Sequence, residues 1–168
     1  LIGQATDIIK EREGTAPRGW LGPWISESGV TPDLLQEAGY DYLLDWCMDD
    51  QPVWMTTRAG RILSVPYPQE LNDIPQIVAR KIEGAAFADM IIDGFNEQSR
   101  QSAKQPLVFG IALHAYVMGQ PHRLPHLRRV LEHIHSARDR IWLCRTGEIA
   151  AAFQERAEEG AVISHHAP

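Results

Sequence analysis

Two short apolar runs, far apart in the chain, each end in a polar loop punctuated by Gly and Pro. The first is Gly19-Trp20-Leu21, which leads through Gly22-Pro23-Trp24 to Ser26-Glu27-Ser28; a second acidic stretch, DWCMDDQP, follows from Asp45 to Pro52. The other run is Gly110-Ile111-Ala112-Leu113, which leads into His114-Ala115-Tyr116 and then Gly119-Gln120-Pro121-His122-Arg123. A buried run that ends abruptly in a polar loop is how α/β folds present chemistry, at the carboxyl ends of their strands. The pattern predicts that both loops form one wall around a cavity, with Arg18, the acids at 45–50 and His114 converging there.

The periodicity along the chain supports an α/β reading. Residues 2–13 read as an amphipathic helix stopped by Gly14 and Pro17. Residues 18–21 read as a short strand. Thr31-Pro32-Asp33 is a helix start, with Thr as the cap and Pro in the first turn, and that helix ends at Gly39. Tyr40–Leu44 reads as a strand. Val53–Thr57 and Arg61–Pro66 flank Arg58-Ala59-Gly60 and read as a β-hairpin. Helices are predicted over 73–81, 84–102, 123–137 and 146–158. Pro106–Leu113 and Ile141–Cys144 are nearly continuous apolar runs, which predicts strands buried on both faces of a parallel sheet. Strands alternating with helices predict a parallel α/β layout with an inserted hairpin. About four buried strands are too few for a closed eight-stranded barrel. The chain also starts with Leu inside a helical pattern, which suggests the later part of a longer protein.

Composition narrows the partners. The chain has 168 residues and a net charge of −6, which argues against a polyanion such as nucleic acid. No apolar run is long enough to span a bilayer, and no secretory segment opens the chain, so a cytoplasmic protein is expected. Cys47 and Cys144 are too few for a disulfide framework and read as reduced thiols.

Several residue groups could carry chemistry, and each has a plainer reading. Asp45, Asp49 and Asp50 crowd like charges together, so one could be held protonated or paired with Arg18. They could equally be a solvated acidic turn. His114, at the end of the most apolar run, suits general acid work near neutral pH, or could be a satisfied rim histidine. His122 and His126 have metal-ligand spacing, but Pro125 between them makes one regular helix through both doubtful. His133 and His135 cannot share a helix face. His165 and His166 fall in a tail expected to be disordered. Trp20, Trp24, Trp46 and Trp54 could line a planar-ligand pocket or simply fill the core. Ser26 could bind substrate, but no nucleophile-elbow glycines surround it. No phosphate-binding Gly loop is present.

At these residues the chain resembles the polysaccharide deacetylase superfamily, the NodB-homology or carbohydrate esterase 4 fold, and within it the peptidoglycan-deacetylase-like and allantoinase-like branch. The segments that carry the resemblance are PRGWLGPWISESGVTPDLLQEAGYDYLLDWCMDDQPVW, RILSVPYPQELNDIP, GIALHAYVMGQPHRLPHLRRVLEHI and WLCRTGEIA. It implies a distorted (β/α) barrel, of which residues 1–160 would be the C-terminal portion and 161–168 a tail. It implies hydrolysis of a non-peptide C–N bond, typically an N-acetyl group on a carbohydrate, with a divalent metal, usually zinc, activating water. By resemblance, Leu113-His114 supplies the acid. Arg18, with Asp45 or Asp49, steadies a base that lies outside this chain together with the metal ligands. Trp20, Trp24, Ser26, Glu70 and Asp73 would line the substrate pocket, with Asn72 also near it. Ala115 stands where the family commonly has Pro. The alternatives are an allantoinase-like amidohydrolase of purine breakdown and a non-catalytic ligand-binding or structural module. A half-barrel would leave apolar strand edges open, so self-association is plausible.

Overall fold

The chain was described from a computed structural model, which places residues 1–164. The backbone divides into two units, residues 1–65 with 144–168, and residues 66–143.

In the first unit, four strands form an open mixed sheet in the order β1-β2-β4-β3. Strands β1 (Gly19–Trp20), β2 (Tyr42–Leu43) and β4 (Gly60–Ser64) run parallel, while β3 (Val53–Thr57) and β4 form the expected antiparallel hairpin. The register pairs Trp54 with Leu63 and Met55 with Ile62. Because side chains alternate across a strand, this register sorts the apolar residues to two faces. Ile62, Leu43 and Met55 join Leu35, Tyr40, Trp20 and Ile2 in one cluster. Leu63, Val65, Trp54, Tyr42 and Leu44 join Ala150, Ile149 and Phe153 in the other. One face of the sheet therefore carries α1 (Ile2–Glu13) and α2 (Thr31–Glu37), and the other carries α5 (Thr146–Ser164). Helix α1 stops at Gly14, whose φ of 80° gives the left-handed turn that glycine adopts without Cβ strain. Helix α5 continues to Ser164, past the expected end at 158. His165 and His166 lie outside the described residues.

The second unit is built on α3 (Gly84–Gln101) and α4 (Leu124–Ser136). Phe87, Ala88 and Ile91 of α3 and Val130 of α4 pack with Ile77, Val117 and Met118 in one buried cluster. Arg129 crosses between the helices, donating to Asp89 Oδ1 at 2.6 Å and to the Ala85 carbonyl at 3.2 Å. The segment predicted as a helix over 73–81 is a short widened turn, Ile74–Ala79, with the Arg80 N–H donating to the Pro75 carbonyl.

Two expected strands did not form. Pro106–Leu113 forms no regular strand and makes a single parallel bridge among the described residues, between Asn72 and Ala112. Its neighbour, residues 66–72, contains Pro66 and Pro68, which have no N–H to give a ladder. Pairing starts only past them, where the Ala112 N–H donates to the Leu71 carbonyl and the Asp73 N–H to the Ala112 carbonyl. Ile141–Cys144 has no ladder either, and Trp142 and Leu143 are 61% and 88% exposed. Apolarity alone made both segments look buried. The architecture is α/β with an open mixed sheet, and no closed barrel is present among the described residues.

Candidate functional site

His114 lies just past the Asn72–Ala112 bridge, which brings it beside Asp73 although 41 residues separate them in sequence. Asp73 has no exposed surface. Its Oδ2 accepts the His114 backbone N–H at 2.8 Å, and its Oδ1 lies 2.6 Å from His114 Nδ1. An ionised carboxylate only accepts, so Nδ1 carries the hydrogen and Nε2 is left as the working nitrogen. The imidazole itself is partly open, with 32% of the side chain exposed, and Tyr116 stands edge-on at 5.5 Å between ring centroids. A buried carboxylate that fixes an imidazole through one nitrogen can position the ring for acid–base work by the other. Asp73 thus holds His114 rather than facing open space. Glu70 is exposed, and Asn72 is buried, its Oδ1 accepting the Ile74 N–H at 3.1 Å.

The other predicted loop lies in the first unit. Arg18 pairs with Asp41 through its Nε, not with Asp45. Asp45 is buried, and its Oδ1 accepts the Gly22 N–H at 2.6 Å. A Cβ at residue 22 would come within 2.5 Å of the Ser26 carbonyl and 2.9 Å of Asp45 Oδ2, so only glycine lets the loop close on that carboxylate. The Trp46 indole N–H donates to Glu27 Oε1 at 2.6 Å. Burial pushes the Asp45 carboxyl up, against the Gly22 N–H and Glu27, which pull it down. Burial also pushes Glu27 up, opposed by Trp46 and reinforced by Asp45.

Asp49 is exposed and accepts the Asp50 N–H at 2.7 Å. Ser26 is exposed, its hydroxyl donating to the Trp24 carbonyl at 3.2 Å. Trp20 packs edge-on against Tyr40 at 5.6 Å, within the core cluster. Trp24 is 86% exposed, and it and Ile25 hold φ of 60° and 53°, a left-handed pair that non-glycine residues rarely adopt.

Sequence reasoning missed two contacts here: Asp73 as the partner of His114, and Glu27 as the neighbour of Asp45. The run Asn72-Asp73 was visible as polar residues beside an apolar segment, but not the strand-like bridge that aims Asp73 at His114.

Among the described residues no three His, Cys, Asp or Glu side chains gather to hold a metal ion. Asp73, the most enclosed carboxylate near His114, has both oxygens engaged. These residues therefore do not fit a metal by themselves.

No family model matches the chain. It is 25% identical over 185 aligned positions to the peptidoglycan deacetylase of Helicobacter pylori, covering 91% of this chain and 62% of that protein. Among solved structures it is similar to a probable polysaccharide deacetylase from Pseudomonas aeruginosa PAO1, with a TM-score of 0.80 and 26% identity, over 90% of this chain and 51% of that one. It is also similar to Puue allantoinase, with a TM-score of 0.79 and 28% identity, over 88% and 49%. The chain thus spans about half to three-fifths of the length of these proteins.

Proposed function

We propose, from the chain's likeness to polysaccharide deacetylases, that it supplies the acid side of a hydrolytic site for a non-peptide C–N bond, with N-acetylated carbohydrate as substrate. The observation that carries this reading is the His114–Asp73 pair, an imidazole fixed through Nδ1 by a wholly buried carboxylate. In its cationic form His114 would give the Nε2 proton to the departing nitrogen, and Asp73 would hold the ring in the one orientation that presents Nε2. In this reading the metal ligands and the catalytic base belong to the complete protein and to residues other than those described. The distorted barrel implied by the family would likewise be completed there. Trp24, exposed in the first unit, would contact substrate.

The likeness to an allantoinase favours a second reading, in which a small cyclic amide replaces the sugar. The test is product release by the complete protein. Acetate freed from chitooligosaccharides or peptidoglycan, and lost with His114→Ala, supports the first reading. Ring opening of allantoin, lost with the same variant, supports the second. Turnover of either substrate unchanged in His114→Ala refutes the assignment of the acid.

A further inference from the structure

We infer that Glu27 and Asp45 hold one proton between them, and that this acid pair is the positioning device for the Pro23–Ile25 turn that displays Trp24.

The geometry leaves these two carboxyls little alternative. Each has one oxygen engaged by a donor: Asp45 Oδ1 by the Gly22 N–H, and Glu27 Oε1 by the Trp46 indole N–H, both at 2.6 Å. The second oxygen of each, Asp45 Oδ2 and Glu27 Oε2, is buried and has no hydrogen-bond partner among the described residues. Neighbouring carboxylate oxygens shut away from water are unfavourable with bare lone pairs, because the repulsion and the lost hydration both act against them. One proton placed between them satisfies both oxygens and leaves a single shared charge. The Gly22 N–H and the Trp46 indole then stabilise that charge from either side. Besides burial, the groups that shift these carboxyls are the two donors and the carboxyls themselves. Arg18, just before β1, is paired with Asp41. The upward shifts of both carboxyls agree with this arrangement.

The pair joins two chain segments. Glu27 and Gly22 belong to the loop after β1, and Asp45 and Trp46 to the segment after β2. Between Gly22 and Glu27 lie Trp24 and Ile25, the consecutive left-handed residues. Such a backbone is strained for residues other than glycine and persists only where its surroundings hold it. The shared proton closes the loop from both ends and is what holds it.

The sign of the pH dependence follows. A carboxyl whose folded value is raised contributes stability that is present below its unfolded value and is lost as pH rises through its folded value. When the shared proton leaves, two adjacent carboxylates repel, the Trp46–Glu27 bond loosens and the Trp24 turn is released. Only the effect on turnover rests on the proposed function; the pair itself does not.

Carboxyl-labelled NMR of the full chain tests the pair directly. Glu27 Cδ is expected to titrate above the ordinary carboxylate range, with the Trp46 indole Hε1 resonance, assigned through Trp46→Phe, moving over the same interval. Glu27→Gln supplies a permanent N–H for Asp45 and an acceptor for Trp46, so its indole resonance should stay at the low-pH position at every pH. Glu27→Ala should lose that position at every pH. In the active protein, kcat/KM should fall at least severalfold as the wild-type pair deprotonates and stay level in Glu27→Gln. The inference is overturned if Glu27 and Asp45 titrate independently at ordinary values, or if Glu27→Gln behaves like a protein without the bond. If Glu27→Ala does not fold, the wild-type titration and Glu27→Gln decide alone. Failure of the hydrolase reading would leave the NMR result standing, and failure of the NMR result would leave the hydrolase reading standing.

Discussion

Replacing Asp73 with Asn isolates what the buried carboxylate does for His114. Asn keeps the shape but offers one oxygen and one NH2. The His114 backbone N–H cannot move, so the amide oxygen must serve it at the 2.8 Å contact. The NH2 then faces Nδ1, where the carboxylate oxygen stood at 2.6 Å, and two donors would meet. The imidazole must give up the Nδ1 hydrogen and carry it on Nε2. A charge-assisted bond is exchanged for a neutral one, which costs about 1–2 kcal/mol, or a factor of roughly 5 to 30 in the folding equilibrium. The cationic imidazole, with hydrogens on both nitrogens, is disfavoured far more, because it restores the donor–donor clash. If His114 is the acid, kcat should fall about 10²- to 10⁴-fold while the protein stays folded. Nitrogen-15 chemical shifts read the tautomer, denaturant melts read the stability and product release reads kcat. Retention of the Nδ1 hydrogen in Asp73→Asn, or a kcat within a few-fold of wild type, would refute the reasoning.

Other perturbations test the frame around the site. Phe87→Ala empties a fully buried position between α3 and its neighbours and should cost about 3–5 kcal/mol in a denaturant melt. Gly22→Ala should destabilise by about 1–3 kcal/mol and move the Trp46 signal, because the new methyl meets the Ser26 carbonyl and Asp45. Arg100 and Gln101 hold the Glu97 carboxyl down to about 2 on the exposed face of α3. Any stability it adds is present above the unfolded value and is lost as pH falls through about 2. High salt should return its NMR titration toward the ordinary value, since the group is open to solvent.

The parts legible in the sequence were those set by local chemistry. Helix α1 begins and ends as its spacing and Gly14 dictate, and the hairpin sits where two β-prone runs flank Arg58-Ala59-Gly60. Helices α3 and α4 match their apolar stripes to within a residue or two. The failures were of pairing. Residues 107–113 are apolar enough for a buried strand, but a ladder needs donors on the neighbouring segment, and Pro66 and Pro68 withhold them. His114 could be singled out by position and by resemblance, yet its carboxylate partner depends on a bridge across 41 residues that no local pattern encodes. Similarly, the acids at 45–50 stood out as a group. That Asp45 turns inward to Gly22 and Glu27 while Asp49 stays at the surface depends on how tightly the loop after β1 closes.

The hairpin turn is gripped from outside: the Arg58 N–H donates to Asp33 Oδ1 at 2.7 Å, and its guanidinium forks onto Glu37 at 2.6 and 2.9 Å. Both acids belong to α2, a helix of seven residues, too short to persist by itself in water. Its order is therefore borrowed from the ribbon it clasps, and the two should open and close as one event. Amide exchange ought to report a common opening free energy for α2 and the β3–β4 pair, so that weakening the clasp at Arg58 would loosen a helix more than 20 residues upstream in the chain.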